Sequence, residues 1–586
     1  MLNNLKVLPI QFKPADLNLP AKFSAFHDKQ LIALDELLQN NSKCLFLQAP
    51  CGFGKSLESA AYGRALGMVI EKSSVGKRTI YTCHQKNLQG QIVGDFSHDL
   101  TGKEYAAELK GRGNYICLKN RQLSCNECTR ERGNRWPKHC ARCEYIDCVA
   151  RNIRGDSITI NECPCVPKCE YLTAKAIAGN AEFAVLNMPY FLAEVNTQNS
   201  IFSGRPLVIL DEGDKTEEAL MEYIGVSIPT FILKKIGVKL PPLGNPINQK
   251  EIAQWVLGAL PVIESRIREV SNYKDPSSSD IRYLKELDRL LGKLNDFCSE
   301  DLDDWVVIPP DDKQNSPSVI WKPVHIKKHA EKCLWSRGAK FLLMSGTILS
   351  PKRLADDLGL NPNDMSYVEV VSTFSPDTRP IYYFPTVDMT SKNLNQNGEE
   401  AVWGTALKKL DELIVGHPNV KGLVQTPSYR LAEFIVKNSN NRERLITHKN
   451  AAERENCIKT LLESHKPLVI VSPSLDRGFD GKDDLCRFIV VIKIPYPNPE
   501  DPQISRRLKE EGGQIWYDHK TICTIIQETS RGNRHEHDFC EIYILDKQFG
   551  KLFNGTVDKK GNSHSGYRAI FPRYWTDALH QGEQYQ

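Results

Sequence analysis

The stretch Lys43-Cys44-Leu45-Phe46-Leu47-Gln48-Ala49-Pro50-Cys51-Gly52-Phe53-Gly54-Lys55-Ser56 decides the fold. Its first half is a short apolar run that reads as a buried strand, and the residues after Gly54, GKSLESAAYGRALGMVI, read as a helix. At the turn between them, Gly52 and Gly54 let backbone N–H groups wrap an anion. Lys55 supplies a point charge for the outer phosphates, and Ser56 supplies a hydroxyl for magnesium. Ala49 stands where the phosphate-cradling pattern has its first Gly. A Gly-rich turn without a ligand is the alternative, but strand, turn and helix all fall where a nucleotide loop requires them.

Working outward, AKFSAFHDKQLIALDELLQ upstream reads as an amphipathic opening helix, and KRTIYTCH downstream as a strand. The run Leu207-Val208-Ile209-Leu210 is a further strand, closed by Asp211 and Glu212. Two acids after an apolar strand are most often a solvated turn. Paired with Lys55 they become the second half of a nucleotide site, Asp211 holding magnesium and Glu212 acting as base toward the attacking water. Helices alternating with apolar strands place the chain in the α/β class with a parallel sheet. From about Glu217 to Glu331 helical periodicity takes over, in EIAQWVLGALPVIESRIREV and DIRYLKELDRLLGKLNDFC. Strand-like runs resume at AKFLLMSGT, VKGLVQT, PLVIVSPS, RFIVVIKIP and CEIYILD, separated by helical segments. The expected plan is a first lobe over 1–116, 170–216 and 332–349, a Cys-rich insertion over 117–169, a mainly helical insertion over 217–331, and a second α/β lobe over 350–586.

Composition narrows the class without naming a function. The 586 residues imply several domains, with 41% hydrophobic and 25% charged residues, which is ordinary for globular protein. A net charge of +4 is small, so any nucleic-acid affinity must come from local basic stripes. No apolar run reaches the roughly 18 residues that cross a bilayer, and the start, MLNNLKVLPIQFKPADLNLP, has no apolar signal core. A cytoplasmic location, or a nuclear one in a eukaryote, is expected, with no membrane partner.

Of the 18 cysteines, nine lie between Cys117 and Cys169. In a reducing compartment such a cluster reads as a metal site, not as disulfides. Two CxxC units, Cys125 with Cys128 and Cys140 with Cys143, are separated by 11 residues, a spacing that also suits zinc with four thiolates.

These motifs together resemble the XPD/DinG family of superfamily 2 iron-sulfur DNA helicases, over nearly the full length. Asp211-Glu212-Gly213-Asp214 resembles the family's DEAH box, with Asp214 where the family has His. Leu109-Lys-Gly-Arg-Gly-Asn-Tyr-Ile-Cys117 resembles the stretch that opens the family's cluster domain, Cys169-Glu-Tyr-Leu-Thr-Ala-Lys-Ala the stretch that closes it, and Val185-Leu-Asn-Met-Pro-Tyr190 the segment that follows. Ser345-Gly-Thr-Ile-Leu-Ser-Pro351 resembles SGTLSP with one extra residue, and Gly478-Phe-Asp480 the core of motif V, with Arg477 where Glu is usual. Gln527-Glu-Thr-Ser-Arg531-Gly-Asn-Arg534 resembles the arginine motif with Ser530 for Gly, Thr82-Cys-His-Gln-Lys-Asn-Leu88 resembles motif Ia, and Gln30 resembles the upstream glutamine that reads adenine.

The resemblance implies two RecA-like motor lobes, ATP and magnesium as cofactors, and a 4Fe-4S cluster in the insertion. It implies that Arg531 and Arg534 reach across to the nucleotide, where an arginine contributes on the order of a thousandfold or more to turnover. It nominates Cys117 and Cys169 as the outer cluster ligands, with Cys140 and Cys143 as the inner pair and Cys125, Cys128, Cys163 and Cys165 as alternatives. A zinc site beside the iron cluster stays open. The implied activity is translocation 5′ to 3′ on single-stranded DNA and unwinding of forked DNA by a monomer. Two other readings use the same residues: a single-strand translocase or remodelling ATPase that never unwinds, and a metal-stabilised nucleic-acid-binding protein with a degenerate ATPase.

Overall fold

The computed structural model describes residues 12–69, 78–84, 86–116, 170–198, 200–244, 247–273, 277–298, 300, 302–311, 316–372, 374–475, 479, 481–557 and 563–581. All nine cysteines from Cys117 to Cys169, the Arg477, Gly478 and Asp480 positions of motif V, and Gln85 of motif Ia lie outside the described residues.

The first lobe contains β1 (Cys44–Gln48), β2 (Thr79–Cys83), β3 (Ala106–Leu109), β4 (Phe183–Asn187) and β5 (Arg205–Asp211). An insertion follows with β6 (Val226–Pro229), β7 (Trp305–Ile308) and β8 (Ser318–Pro323), and the chain then returns through β9 (Gly338–Ser345) and β10 (Met365–Glu369). The first sheet has the order β10-β1-β9-β5-β2-β4-β3 and its pairings are parallel. Both faces are covered, which is why its strands read as continuous apolar runs and not as alternating ones. Period two survives underneath: Leu45 and Leu47 enter one core, Cys44 and Phe46 the other.

The second lobe is built on β11 (Ile381–Val387), β12 (Gly422–Gln425), β13 (Leu445–Ile446), β14 (Val469–Ser472), β15 (Phe488–Val491), β16 (Glu541–Asp546) and a closing strand Leu579–Gln581. These form a second parallel sheet, ordered β13-β14-β12-β15-β16-β11 and then the closing strand. Two RecA-like parallel sheets are thus present, as expected from the alternating pattern.

Two local expectations change and a third is filled out. The boundary expected at 349/350 moves to the segment before β11, because β10 pairs with β1 and completes the first sheet. The mainly helical insertion also carries strands: β6, β8 and β7 form a three-stranded antiparallel sheet. Against it pack helices Gln249–Ser271 and Ser278–Phe297, with Ile252, Val256, Ala259 and Ile263 at helical spacing facing Leu284, Leu287 and Leu294 in one core. The opening helix α1 (Asp28–Gln39) starts later than its amphipathic run, because the side-chain Oε1 of Gln30 accepts the His27 N–H at 2.9 Å and caps the helix there.

Candidate active site

Three strands bring the site together at their C-terminal ends. β9 lies between β1 and β5, and register pairs Gln48 with Ser345 and Asp211 with Met344. The phosphate loop, the Ser345-Gly346-Thr347 turn and the acidic pair therefore stand side by side, the outer two about 9–10 Å apart at two strand spacings.

The loop between β1 and helix α2 (Lys55–Val69) has the geometry the sequence requires: Gly52 and Gly54 take φ of 79° and 84°, a region that only Gly enters freely. A Cβ on Gly52 would also meet the Phe374 ring at 2.2 Å and the Arg534 carbonyl at 2.9 Å. The loop is thus flanked by the inter-lobe linker and by the second lobe. The Lys55 ammonium donates to the carbonyls of Ala49 and Pro50, at 3.1 and 3.2 Å. Gln30 is buried beneath the loop, and its Nε2 donates to the Phe53 carbonyl at 2.9 Å. With its Oε1 on the His27 N–H, Gln30 holds the shape of the loop.

Asp211 is buried and accepts the Tyr81 hydroxyl at 2.7 Å. Burial, and then the neighbouring Glu212 charge, push its carboxyl up to about 6. The Tyr81 phenol, raised by its own burial and by the Asp211 charge, thus stays protonated as the donor to Asp211. Glu212 sits at φ 51°, the left-handed region that costs a non-Gly residue on the order of 1–3 kcal/mol and that clusters at functional sites.

Asp214, the residue that replaces the family's His, is buried. Its carboxylate accepts Ser345 Oγ at 2.6 Å and Gln527 Nε2 at 2.8 Å, and Gln527 also donates to Thr347 Oγ1 at 3.0 Å. Gln527 lies on helix Gly513–Thr529 of the second lobe, which leads directly into Arg531 and Arg534. In the structure the Arg531 Nε donates to the Gln527 carbonyl at 3.1 Å, and an Arg534 guanidinium nitrogen to the Phe479 carbonyl at 3.2 Å.

A cavity of about 170 Å³ is lined by Lys55, Asp211 and Glu212 from the first lobe and by Gln527, Arg531 and Arg534 from the second. Cys51 also lines it. Burial raises its thiol, but the charges of Arg534, Lys55, Arg531 and Arg379 outweigh that and pull it below the ordinary thiol range. Tyr81 and the bridging contacts of Asp214 and Thr347 with Gln527 were not legible beforehand, since each depends on strand register or on the contact between lobes.

At the edge of the Cys-rich insertion the two flanks meet. Tyr115 packs edge-on against Tyr171 at 5.6 Å between ring centroids, and the Arg112 guanidinium lies over Tyr171 at 4.8 Å.

Comparison with known proteins agrees with this architecture. Residues 414–555 match the Helicase C-terminal domain family. The chain is similar to the ATP-dependent DNA helicase YoaA of Haemophilus influenzae, at 22% identity over 89% of this chain and 91% of that protein. It is similar to the ATP-dependent DNA helicase XPD of Sulfolobus acidocaldarius, at 24% identity over 36% of this chain and 40% of that one. Among solved structures, an XPD helicase superposes with a TM-score of 0.59 at 16% identity, covering 90% of this chain and 97% of the other, a likeness of fold. With both lobes, the acidic strand end and the arginine helix in place, the chain is similar over most of its length to XPD/DinG-like helicases of superfamily 2, and its residues 414–555 match a helicase C-terminal domain.

Proposed function

We propose that the protein is an ATP-driven DNA helicase that closes its two lobes on ATP, moves 5′ to 3′ along a single strand and parts the duplex ahead of it. The observation that carries this reading is the single cavity in which Lys55, Asp211 and Glu212 face Arg531 and Arg534. Lys55 meets the outer phosphates, Glu212 orients and deprotonates the attacking water, and the two guanidiniums neutralise charge on the transferring group. Gly52 and Gly54 supply the backbone donors, and Gln527 ties the arginine helix to Asp214.

Ser56 and Asp211 are the residues that would hold magnesium. Their donors are oxygens, which suit that ion, and a carboxylate held up near 6 by burial and then by an adjacent carboxylate is a place where added positive charge is favourable. When bound, the ion screens the phosphate oxygens.

The Cys-rich insertion is proposed to hold an iron-sulfur cluster and to act as a wedge where strands part. The meeting of Tyr115 with Tyr171 supports Cys117 and Cys169 as its outer ligands, because each ring lies within two residues of one of them. A further reading, translocation without unwinding, uses the same motor and is separated by experiment.

The test is DNA-stimulated ATP hydrolysis together with strand displacement on forks carrying a 5′ or a 3′ tail, on protein purified without air. Hydrolysis and displacement from a 5′ tail are expected, both lost in Lys55→Ala, with ATP still bound in Glu212→Gln. Wild-type hydrolysis by Lys55→Ala overturns the nucleotide site. Efficient unwinding only from a 3′ tail overturns the polarity, and hydrolysis without displacement reduces the activity to translocation. Because phosphate contacts dominate single-strand binding, affinity should fall steeply with salt.

A further inference from the structure

Helix Gly513–Thr529 docks on the first lobe along one face. Trp516, Lys520, Cys523 and Gln527 recur every three to four residues and so share that face. Trp516 Nε1 donates to Glu217 Oε2 at 3.4 Å, Lys520 Nζ lies 3.0 Å from the same oxygen, and the Cys523 thiol donates to the Thr347 carbonyl at 3.3 Å. Gln527 completes the row on Asp214. A second grip comes from Arg507, in the last turn of helix Pro502–Leu508. Its guanidinium donates to the other Glu217 oxygen and to Asp357, and stacks on the Trp516 ring at 4.1 Å.

Glu217, in the first turn of helix Thr216–Ile224 just after the acidic pair, thus receives three donors from the second lobe. Its side chain is 4% exposed and that of Arg507 3%. Separating such a group from its cations would strand a buried charge, so this end of the lobe interface holds while weaker contacts give way. The nucleotide end is different in kind, because Gln527 meets Asp214 through a neutral amide. From Lys520 to Arg531 the helix and its exit form a lever of roughly 16 Å at 1.5 Å per residue.

We propose that Glu217, gripped by Arg507 and Lys520, is the positioning residue that sets the arginine helix against the phosphate loop, the fixed end about which Arg531 and Arg534 swing toward ATP. This rests on the reading of the cavity as an ATP site. Neither Glu217 nor its partners touch the nucleotide cavity, so their effect passes through the angle of the helix.

Lys520→Met removes one cation and leaves the Glu217, Arg507 and Asp357 group in place, which keeps the variant foldable. Its ATP affinity, read with a fluorescent ATP analogue, should stay within about twofold while kcat falls roughly ten- to a hundredfold, and Lys520→Arg should recover most of it. A second readout does not need turnover: the inter-dye distance distribution of nucleotide-free protein, labelled through azidophenylalanine at the exposed Lys103 and Lys449. It should be narrow in the wild type and broad in Lys520→Met. An unchanged distribution overturns the pivot whatever turnover does, and a broadened one with unchanged kcat overturns the positioning role. If the wild type hydrolyses no ATP, the ATP-site reading fails by itself and the distance distribution alone decides the pivot.

Discussion

Gln527 of the second lobe donates its amide to Asp214 of the first at 2.8 Å, across 313 residues of chain, while Ser345 occupies the other carboxylate oxygen at 2.6 Å. Both oxygens of Asp214 act as acceptors, and both donors come from elements that border the nucleotide cavity. Asp214→Asn therefore replaces one acceptor oxygen with an amide donor, and a lost hydrogen bond to a charged group is worth about 1.5–3 kcal/mol. Turnover should fall roughly ten- to a hundredfold with ATP binding retained. Asp214→His, the residue usual in the family, offers one acceptor and should not restore full turnover. Steady-state kinetics on the two variants decide this, and wild-type kcat in Asp214→Asn would remove the bridge from the mechanism.

If Asp211 holds magnesium as proposed, its acidity makes binding of that ion depend on pH. Burial and the Glu212 charge raise its carboxyl to about 6, above the ordinary aspartate value. As pH falls below about 6 the carboxylate is protonated and magnesium affinity should decline, approaching tenfold per pH unit. The stability contribution has the opposite sense: a raised pKa means the folded state holds the proton more tightly, so it is fully present below pH 3.8 and lost as pH rises through about 6. Calorimetric titration of magnesium from pH 5 to 8 checks the first point, and a flat affinity would dissociate Asp211 from the ion.

Beneath the phosphate loop, Glu58 is fully buried and its two carboxyl oxygens meet no donor among the described residues. Burial holds its carboxyl well above the usual range. The Tyr62 hydroxyl, one turn further along α2, is likewise buried without a partner among the described residues. Glu58→Met should therefore stabilise the first lobe by about 1–3 kcal/mol, the cost of a buried unsatisfied polar group. Thermal unfolding at pH 7 checks this. A lower transition temperature would mean that Glu58 has a partner the geometry does not reveal.

For the Cys-rich insertion, protein purified without air should be brown, with iron and acid-labile sulfide near four per chain for one 4Fe-4S cluster. Cys117→Ser should bleach it and impair unwinding more than basal ATP hydrolysis. Stoichiometric zinc without iron or sulfide would replace this assignment with a zinc site.

Much of this protein was legible in its sequence because the relevant physics is local. The Gly-rich loop is one turn between a strand and a helix, so its place in the fold and the positive φ of Gly52 and Gly54 could be read from spacing alone. The apolar runs at β1, β5, β9, β12, β14, β15 and β16 read as strands because both faces of each sheet are covered. The pairing of β10 with β1 was hidden, since Met365–Glu369 carries mixed polarity and only its edge position explains it. So was the small antiparallel sheet, whose strands at Val226–Pro229 and Ser318–Pro323 are separated by two long helices. What only the tertiary structure decided are the contacts between distant elements: Tyr81 on Asp211 through the register of β2 with β5, Gln527 on Asp214, and Arg507 with Lys520 on Glu217. A side chain's type limits what it can bond. Which partner it meets some 300 residues away is set by how two sheets dock, and no local pattern encodes that.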